Sequence, residues 1–330
     1  MMTDGRFIPH GPLGMGGAPL GNLLGAVDEA TAQATVHAAW DAGIRHFDTA
    51  PHYGAGLSEH RMGAALRHRP RQDFTLSTKV GRMLVPAPGG VGEWEDDFQH
   101  GLSFTRRLDV SRDGALRSIE DSLNRLGLPR IDIAYIHDVS PDWLGVEWET
   151  HFAAAMQGAA RALSRLRDEG VIGAWGLGVN MVEPCLRALR ESDPDIFLLA
   201  GRYTLLDHAG LPDLLPACEA RGVQVVIGGP YNSGLLAGGD TFNYKRAPDA
   251  LVTKAKAIGA VCARHGVDLR AAALQFCAAY PAVAAVIPGA RTAAEVEQNA
   301  AFMEQPIPPG LWAELKSAQL LPEDAPVPEL

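Results

Sequence analysis

Short apolar or β-branched runs recur along the chain at residues 44–48, 74–79, 131–137, 174–179, 196–199, 223–227 and 284–287. A glycine-rich stretch at 14–20 is a weaker first member. Between and after them lie segments of helical period at 29–41, 58–67, 111–126, 152–166, 184–189, 211–220, 250–264 and 293–302. In 111–126, Ser111 is placed to cap a helix, and Leu116, Ile119 and Leu123 form one stripe. Eight strand–helix alternations without a composition break predict one α/β domain over 1–330 with a parallel sheet, since parallel neighbours require a crossover helix. A closed eight-stranded barrel and an open doubly wound sheet both satisfy the pattern. A typical barrel takes about 250 residues, so 330 leave room for insertions. The longest, 83–109, is rich in Gly and Pro and follows the third run; a second, 139–150, follows the fourth. In a barrel both would lie over the C-terminal mouth, where loops shape the pocket.

Composition narrows the partners. A net charge of −10 argues against nucleic acid or an anionic membrane surface, and no apolar run reaches the eighteen or so residues of a membrane span. Met1-Met2-Thr3-Asp4-Gly5-Arg6 lacks the basic-then-apolar layout of an export signal. Cys185, Cys218, Cys262 and Cys277 are widely spaced, with no C-x-x-C pair, as in a reduced compartment. A cytoplasmic enzyme acting on a small molecule is the expectation.

Familiar motifs are missing. Gly14-Met15-Gly16-Gly17 would need glycine at position 19 to complete a dinucleotide fingerprint, and Pro19 stands there. There is no phosphate-binding G-x-x-x-x-G-K-[ST], no H-E-x-x-H and no G-x-S-x-G. Despite eleven histidines no H-x-H pair follows the early strands, so no metal is expected.

The informative segment is His46-Phe47-Asp48-Thr49-Ala50-Pro51-His52-Tyr53-Gly54. Asp48 ends an apolar run and Tyr53 follows in a Pro/Gly loop. Alone, such an aspartate is often a helix cap and such a tyrosine packing. Lys79 changes the balance. The chain has five lysines against twenty-four arginines, and Lys79, the sole lysine before Lys245, ends the run 74–79. A lysine at the inner end of a barrel strand needs a carboxylate to offset desolvation, and Asp48 would end the neighbouring strand. That pair could still serve the fold only. His137 ends the run 131–137, so Asp48, Lys79 and His137 would close strands two, three and four at one face. A cation near a phenol favours the tyrosinate. On this reading Lys79 tunes Tyr53 as proton acceptor, Asp48 anchors Lys79, and His137 orients the substrate oxygen. Such a set moves a proton at an alcohol or carbonyl oxygen, and a redox cofactor must exchange the hydride.

Those residues resemble the tetrad of the aldo-keto reductase superfamily. The resemblance extends through Gly43-Ile44-Arg45-His46-Phe47-Asp48-Thr49-Ala50 with Tyr53-Gly54, and Ser122-Leu123 with Arg125-Leu126-Gly127 before Ile131-Asp132. Ile287-Pro288-Gly289-Ala290-Arg291 with Glu295 and Asn299 resembles the family's adenosine site. It implies a single (β/α)8 TIM barrel binding NAD or NADP across its mouth. Residues 50–59, 77–82, His137-Asp138 and Gly228-Gly229-Pro230-Tyr231-Asn232-Ser233-Gly234 are most similar to the sugar dehydrogenases that oxidise L-fucose, D-threo-aldoses or L-galactose at C1, and to pyridoxal 4-dehydrogenase. The resemblance implies Asn180, Ser233, Gly234, Gly289, Arg291, Glu295, Gln298 and Asn299 as cofactor residues. By position alone His52, Trp143, Tyr231 and Asn232 are candidate substrate residues, each with plain packing as the alternative.

Departures qualify the match. Gly228 stands where many members stack an aromatic ring on the nicotinamide. Val179-Asn180 replaces a Ser-Asn pair, and Ala200 replaces a glutamine. Gly289 and Glu295 occupy positions that bear Lys and Arg in NADP-dependent relatives. A carboxylate beside the ribose repels a 2′-phosphate, which favours NAD, while Arg291 keeps NADP open. The implied activity is oxidation of an aldose C1 hydroxyl to a lactone. Rivals are an NADPH-dependent carbonyl reductase, a dehydrogenase of another alcohol such as pyridoxal, and, from another class, a dinucleotide-sensing regulatory subunit.

Overall fold

The computed structural model describes residues 2–3, 6–88 and 98–328. Eight parallel strands form its centre: β1 (Met15–Gly16), β2 (His46–Asp48), β3 (Thr75–Val80), β4 (Ile133–His137), β5 (Ala174–Val179), β6 (Ile196–Ala200), β7 (Gln224–Gly228) and β8 (Val283–Ile287). They pair in sequence order, and parallel bridges Leu13–Val286 and Gly16–Gly289 bring β8 back to the first strand. The sheet thus curls into a nearly closed (β/α)8 barrel, which decides against the open sheet. Register sets the chemistry: Asp48 lies opposite Ser77, Lys79 opposite Tyr135, and His137 opposite Gly178, so the strand ends converge on one rim.

The barrel is filled rather than hollow. Ile133, Tyr135, Ala174, Ile196, Leu198, Val226, Ala285 and Ile287 meet inside it, with Phe7 packed against them. A larger apolar cluster lies between the strands and the helices α1 (Glu29–Asp41), α2 (Leu57–Leu66), α3 (Arg112–Leu126) and those that follow. Local signals start and stop these helices. Asp28 accepts from Thr31 N at 2.9 Å and Ser111 Oγ from Gly114 N at 3.0 Å, while Gly127 ends α3 in left-handed backbone. All four cysteines are buried inside this helical shell.

Several segments depart from the sequence expectation. Only Met15–Gly16 of 14–20 is strand; the Pro19 region turns into a 3₁₀ helix at Ala18–Gly21, because proline fits a first helical turn. The expected helix 152–166 becomes α4, running from Trp148–Ala155 through a π turn at Met156–Ala160 into Arg161–Asp168. Segments 184–189 and 211–220 form α5 (Val182–Glu191) and α6 (Leu214–Arg221). After α7 (Asp249–Arg264) comes an unexpected helix, α8 (Leu269–Ala278), and this one packs beside β8. Its run of Ala, Leu, Phe and Cys has too little polar contrast to display a period. The chain then forms α9 (Ala293–Glu304) and α10 (Pro309–Ser317).

The insertions lie over the mouth. Arg82–Pro86 and Phe104–Leu108 pair as an antiparallel hairpin; positions 89–97 of the expected 83–109 insertion lie outside the described residues. Residues 139–150 fold into a short helix (Pro141–Leu144), a 3₁₀ turn (Gly145–Glu147) and the start of α4. Among the described residues no helix is long and apolar enough to cross a membrane.

Candidate active site

β2 and β3 put Asp48 and Lys79 side by side. Lys79 Nζ donates to Asp48 Oδ2 at 2.7 Å and to the Thr49 carbonyl at 2.9 Å, and both side chains are almost wholly buried. Ser77 Oγ donates to the other Asp48 oxygen at 2.7 Å. The pair is thus held by hydrogen bonds on both partners, which help offset the desolvation of a buried ion pair. Gly178 leaves room beside it: a Cβ there would lie 3.4 Å from Lys79 Cε and 3.3 Å from Tyr135 Cβ.

Tyr53 and His137 stand next to this pair. Lys79 Nζ lies 4.6 Å from the Tyr53 ring centroid, and the Tyr53 and His137 rings meet edge to face at 6.0 Å. Burial pushes the Tyr53 phenol well above its ordinary value, and the carboxylates of Asp48 and Asp138 add to this. Burial outweighs any lowering by the cation in this structure, and Tyr53 is a neutral phenol; the Lys79 ammonium lies over its ring and bonds Asp48 and Thr49. His137 is also neutral, because burial, then Arg82 and Lys79, hold its imidazole well below 6.5.

His52 completes the cluster. Its ring centroid lies 5.5 Å from that of His137, 5.2 Å from Phe98 and 5.6 Å from Trp143. Burial and the nearby arginines keep it neutral. Trp143 is 46% exposed, at the rim, with the Arg82 guanidinium 3.8 Å from its ring centroid.

The residues expected to hold a cofactor occupy the far side of the mouth. Gly234, with φ +102°, follows Asn232 and Ser233 after β7. Asn232 Nδ2 donates to the Gly201 carbonyl at 3.4 Å, and its buried Oδ1 has no partner among the described residues. Tyr231 was expected to meet substrate; its hydroxyl instead donates to Asn299 Oδ1 at 2.6 Å, tying the β7 loop to α9. Gly289 sits against Pro19, where a Cβ would come within 2.9 Å of the proline ring. Glu295 accepts from the Arg291 amide at 2.7 Å, and Arg291 Nη1 donates to the Leu24 carbonyl at 3.3 Å. Gln298 accepts from Arg270 at 3.1 Å on the exposed face of α9. Asn180 lies apart, its carbonyl bound by Arg202 at 2.7 Å and its amide 3.5 Å from Asp142.

Two comparisons identify the chain. The model of the aldo/keto reductase family matches residues 12–319. The chain belongs to this family. The reductase is 41% identical over 327 residues to D-threo-aldose 1-dehydrogenase of a Pseudomonas species, covering 96% of each chain. It is 40% identical to pyridoxal 4-dehydrogenase of Microbacterium luteolum, covering 94% of each. Among solved structures it resembles the holo form of an aldo-keto reductase from Bacillus halodurans, with TM-score 0.71 and 26% identity over 96% of this chain and 94% of that one. The chain is therefore an NAD(P)-dependent oxidoreductase acting on CH–OH donors.

The donor set of this reductase fits such a dinucleotide. Gly201, with φ +68°, lies beside the Asn232 amide nitrogen, and the buried Asn232 oxygen has no partner among the described residues. The capped start of α9 adds free amides beside Arg291. Sequence reasoning gave no role to Arg82, Asp138 or Phe98, although Arg82 and Asp138 lie in segments that carry the resemblance. Phe98 stacks on Tyr53 with centroids 5.6 Å apart, and Arg82 Nη2 donates to Asp138 Oδ2 at 2.9 Å.

Proposed function

We propose that this aldo-keto reductase is an NAD-dependent aldose 1-dehydrogenase, oxidising the C1 hydroxyl of L-fucose or another D-threo-aldose to a lactone. The observation that carries this reading is the charged wall of Arg82 and Asp138 standing against His137, whose ring meets that of Tyr53. Such a wall suits a polyol better than an apolar alcohol. The 41% identity to D-threo-aldose 1-dehydrogenase supports the same substrate class.

On this reading Tyr53 takes the proton of the C1 hydroxyl. Tyr53 must therefore first be ionised; Lys79, fixed by Asp48, stabilises that tyrosinate through its ring face, and the transfer returns Tyr53 to the neutral phenol. Neutral His137 donates an N–H to the reacting oxygen and so fixes its position. A bound dinucleotide supplies the hydride acceptor. Asn232, Ser233 and Gly234 would hold its central part, and Gly289, Arg291, Glu295 and Asn299 its adenosine end.

NAD is preferred over NADP on two grounds. Arg291 is engaged with Leu24 and lies over Gly25, where a Cβ would come within 2.6 Å of Nη2. Glu295 leaves a negative charge at the helix start, against a 2′-phosphate.

The test is a panel of aldoses, pyridoxal and simple aldehydes with both cofactors, followed by NADH or NADPH absorbance. The aldose reading expects the highest kcat/KM with a D-threo-aldose and NAD⁺. Preference for pyridoxal, or a higher kcat/KM with NADP⁺, rejects the corresponding part. A second reading, an NADPH-dependent carbonyl reductase, is favoured by one observation: a phenol held neutral is already the proton donor that carbonyl reduction requires.

A further inference from the structure

Asp138 directly follows His137 at the end of β4 and holds left-handed backbone at φ +46°, a region that costs every residue but glycine and that Asn and Asp tolerate best. It is 6% exposed. Its Oδ2 accepts from Arg82 Nη2 at 2.9 Å and lies 3.3 Å from His137 Nε2. Arg82 is itself fixed, flat against Trp143 at 3.8 Å and in reach of the His52 ring at 3.3 Å. His137, in contact with Asp138, also meets the Tyr53 ring edge to face at 6.0 Å, which places Asp138 beside the proposed proton-transfer site.

The backbone amide of Asp138 bonds the Gly178 carbonyl, which any residue other than proline can do. The backbone alone therefore gives no reason to prefer aspartate over asparagine here. The buried Arg82 guanidinium gives one, and the site gives another. An alcohol with a hydroxyl on the carbon beside the reacting one presents two oxygens at hydrogen-bond spacing. His137 Nε2 and Asp138 Oδ2 offer a donor and an acceptor at a matching 3.3 Å. The reacting oxygen meets the His137 N–H and Tyr53, and the neighbouring hydroxyl donates to Asp138.

We propose that Asp138, held by Arg82, is the acceptor for the hydroxyl next to the reacting carbon and makes the enzyme specific for 2-hydroxylated substrates. The assignment rests on the proposed proton-transfer site but needs only that neighbouring hydroxyl, not a sugar ring.

Two substrate pairs differing in one hydroxyl test it: L-fucose against 2-deoxy-L-fucose in oxidation, and lactaldehyde against propanal in reduction. Each is run with the wild-type holoenzyme and with Asp138→Asn, which keeps the size and tolerates the same backbone. The wild type should favour the hydroxylated member by about 10–100-fold in kcat/KM, the worth of a hydrogen bond to a charged acceptor. In D138N that ratio should fall toward unity. A purely structural role would lower both members together and leave the ratio intact, which rejects the assignment, as does a wild-type ratio near one. If D138N does not fold, the wild-type ratio alone decides. Selectivity for lactaldehyde with neither sugar turned over rejects the aldose reading and keeps Asp138; equal turnover of both sugars does the reverse. Inactivity on all four rejects both.

Discussion

Desolvation sets the protonation of the groups around Tyr53. The phenol is pushed up, His52 and His137 are pushed down, and Asp138 rises to about 6. Oxidation needs the deprotonated phenol, so its kcat/KM should climb with pH and reach no plateau below the ordinary phenol value of 10. A plateau near neutrality would show that Tyr53 is not the titrating group. Tyr53→Phe should cut kcat by about 10²–10⁴-fold while leaving NADH affinity, read by fluorescence titration, unchanged. Asp48→Ala should cost about 3–5 kcal/mol in urea unfolding, because Lys79 would be left charged and unpaired in the core. The aspartate–lysine pair was legible in the sequence because both residues end apolar runs, where burial demands a partner. The direction of the Tyr53 shift was not, since it depends on how deeply the fold buries the phenol and then on the carboxylates of Asp48 and Asp138.

At the level of elements, the strands were the most legible part and the irregular helices the least. β-branched runs mark buried parallel strands directly, whereas α8 hid because a helix buried on nearly all sides has no polar face. The π turn in α4 also has no local signal. It arises where Ala159 N donates to the Val110 carbonyl at 3.0 Å and Gly158 lets that loop approach. Glycines make the point testable. In β5, a Cβ on Gly176 would run into the Ile196 carbonyl, so Gly176→Ala should lose about 3 kcal/mol or more. Gly259 lies inside α7 with only Leu269 Cδ2 at 3.6 Å, so Gly259→Ala should gain roughly 0.5–1 kcal/mol. Urea midpoints of the two variants should move in opposite directions.

For the molecule as a whole, buried imidazoles link stability to pH. His46 lies in the barrel with neither ring nitrogen partnered, and burial lowers it to about 3. Between 6.5 and about 3 the unfolded chain binds a proton that the native state refuses, so stability falls as pH falls through that window. His208, lowered to about 4, and His52 and His137 act in the same sense. Asp138 acts oppositely between 3.8 and about 6, since the native state there holds the extra proton. With His10 also lowered and Asp48 and Asp195 also raised, five imidazoles stand against three carboxylates and predict a net loss on acidification, which urea titrations at pH 7 and 5 should register. His46→Asn should weaken that dependence. Finally, the four thiols of the helical shell are both covered and held in the protonated form, Cys262 at about 11 and Cys218 at about 12. Alkylating reagents should ignore the native protein and label all four sites as it opens, so thiol counting offers a built-in clock for unfolding, and storage should need no reductant.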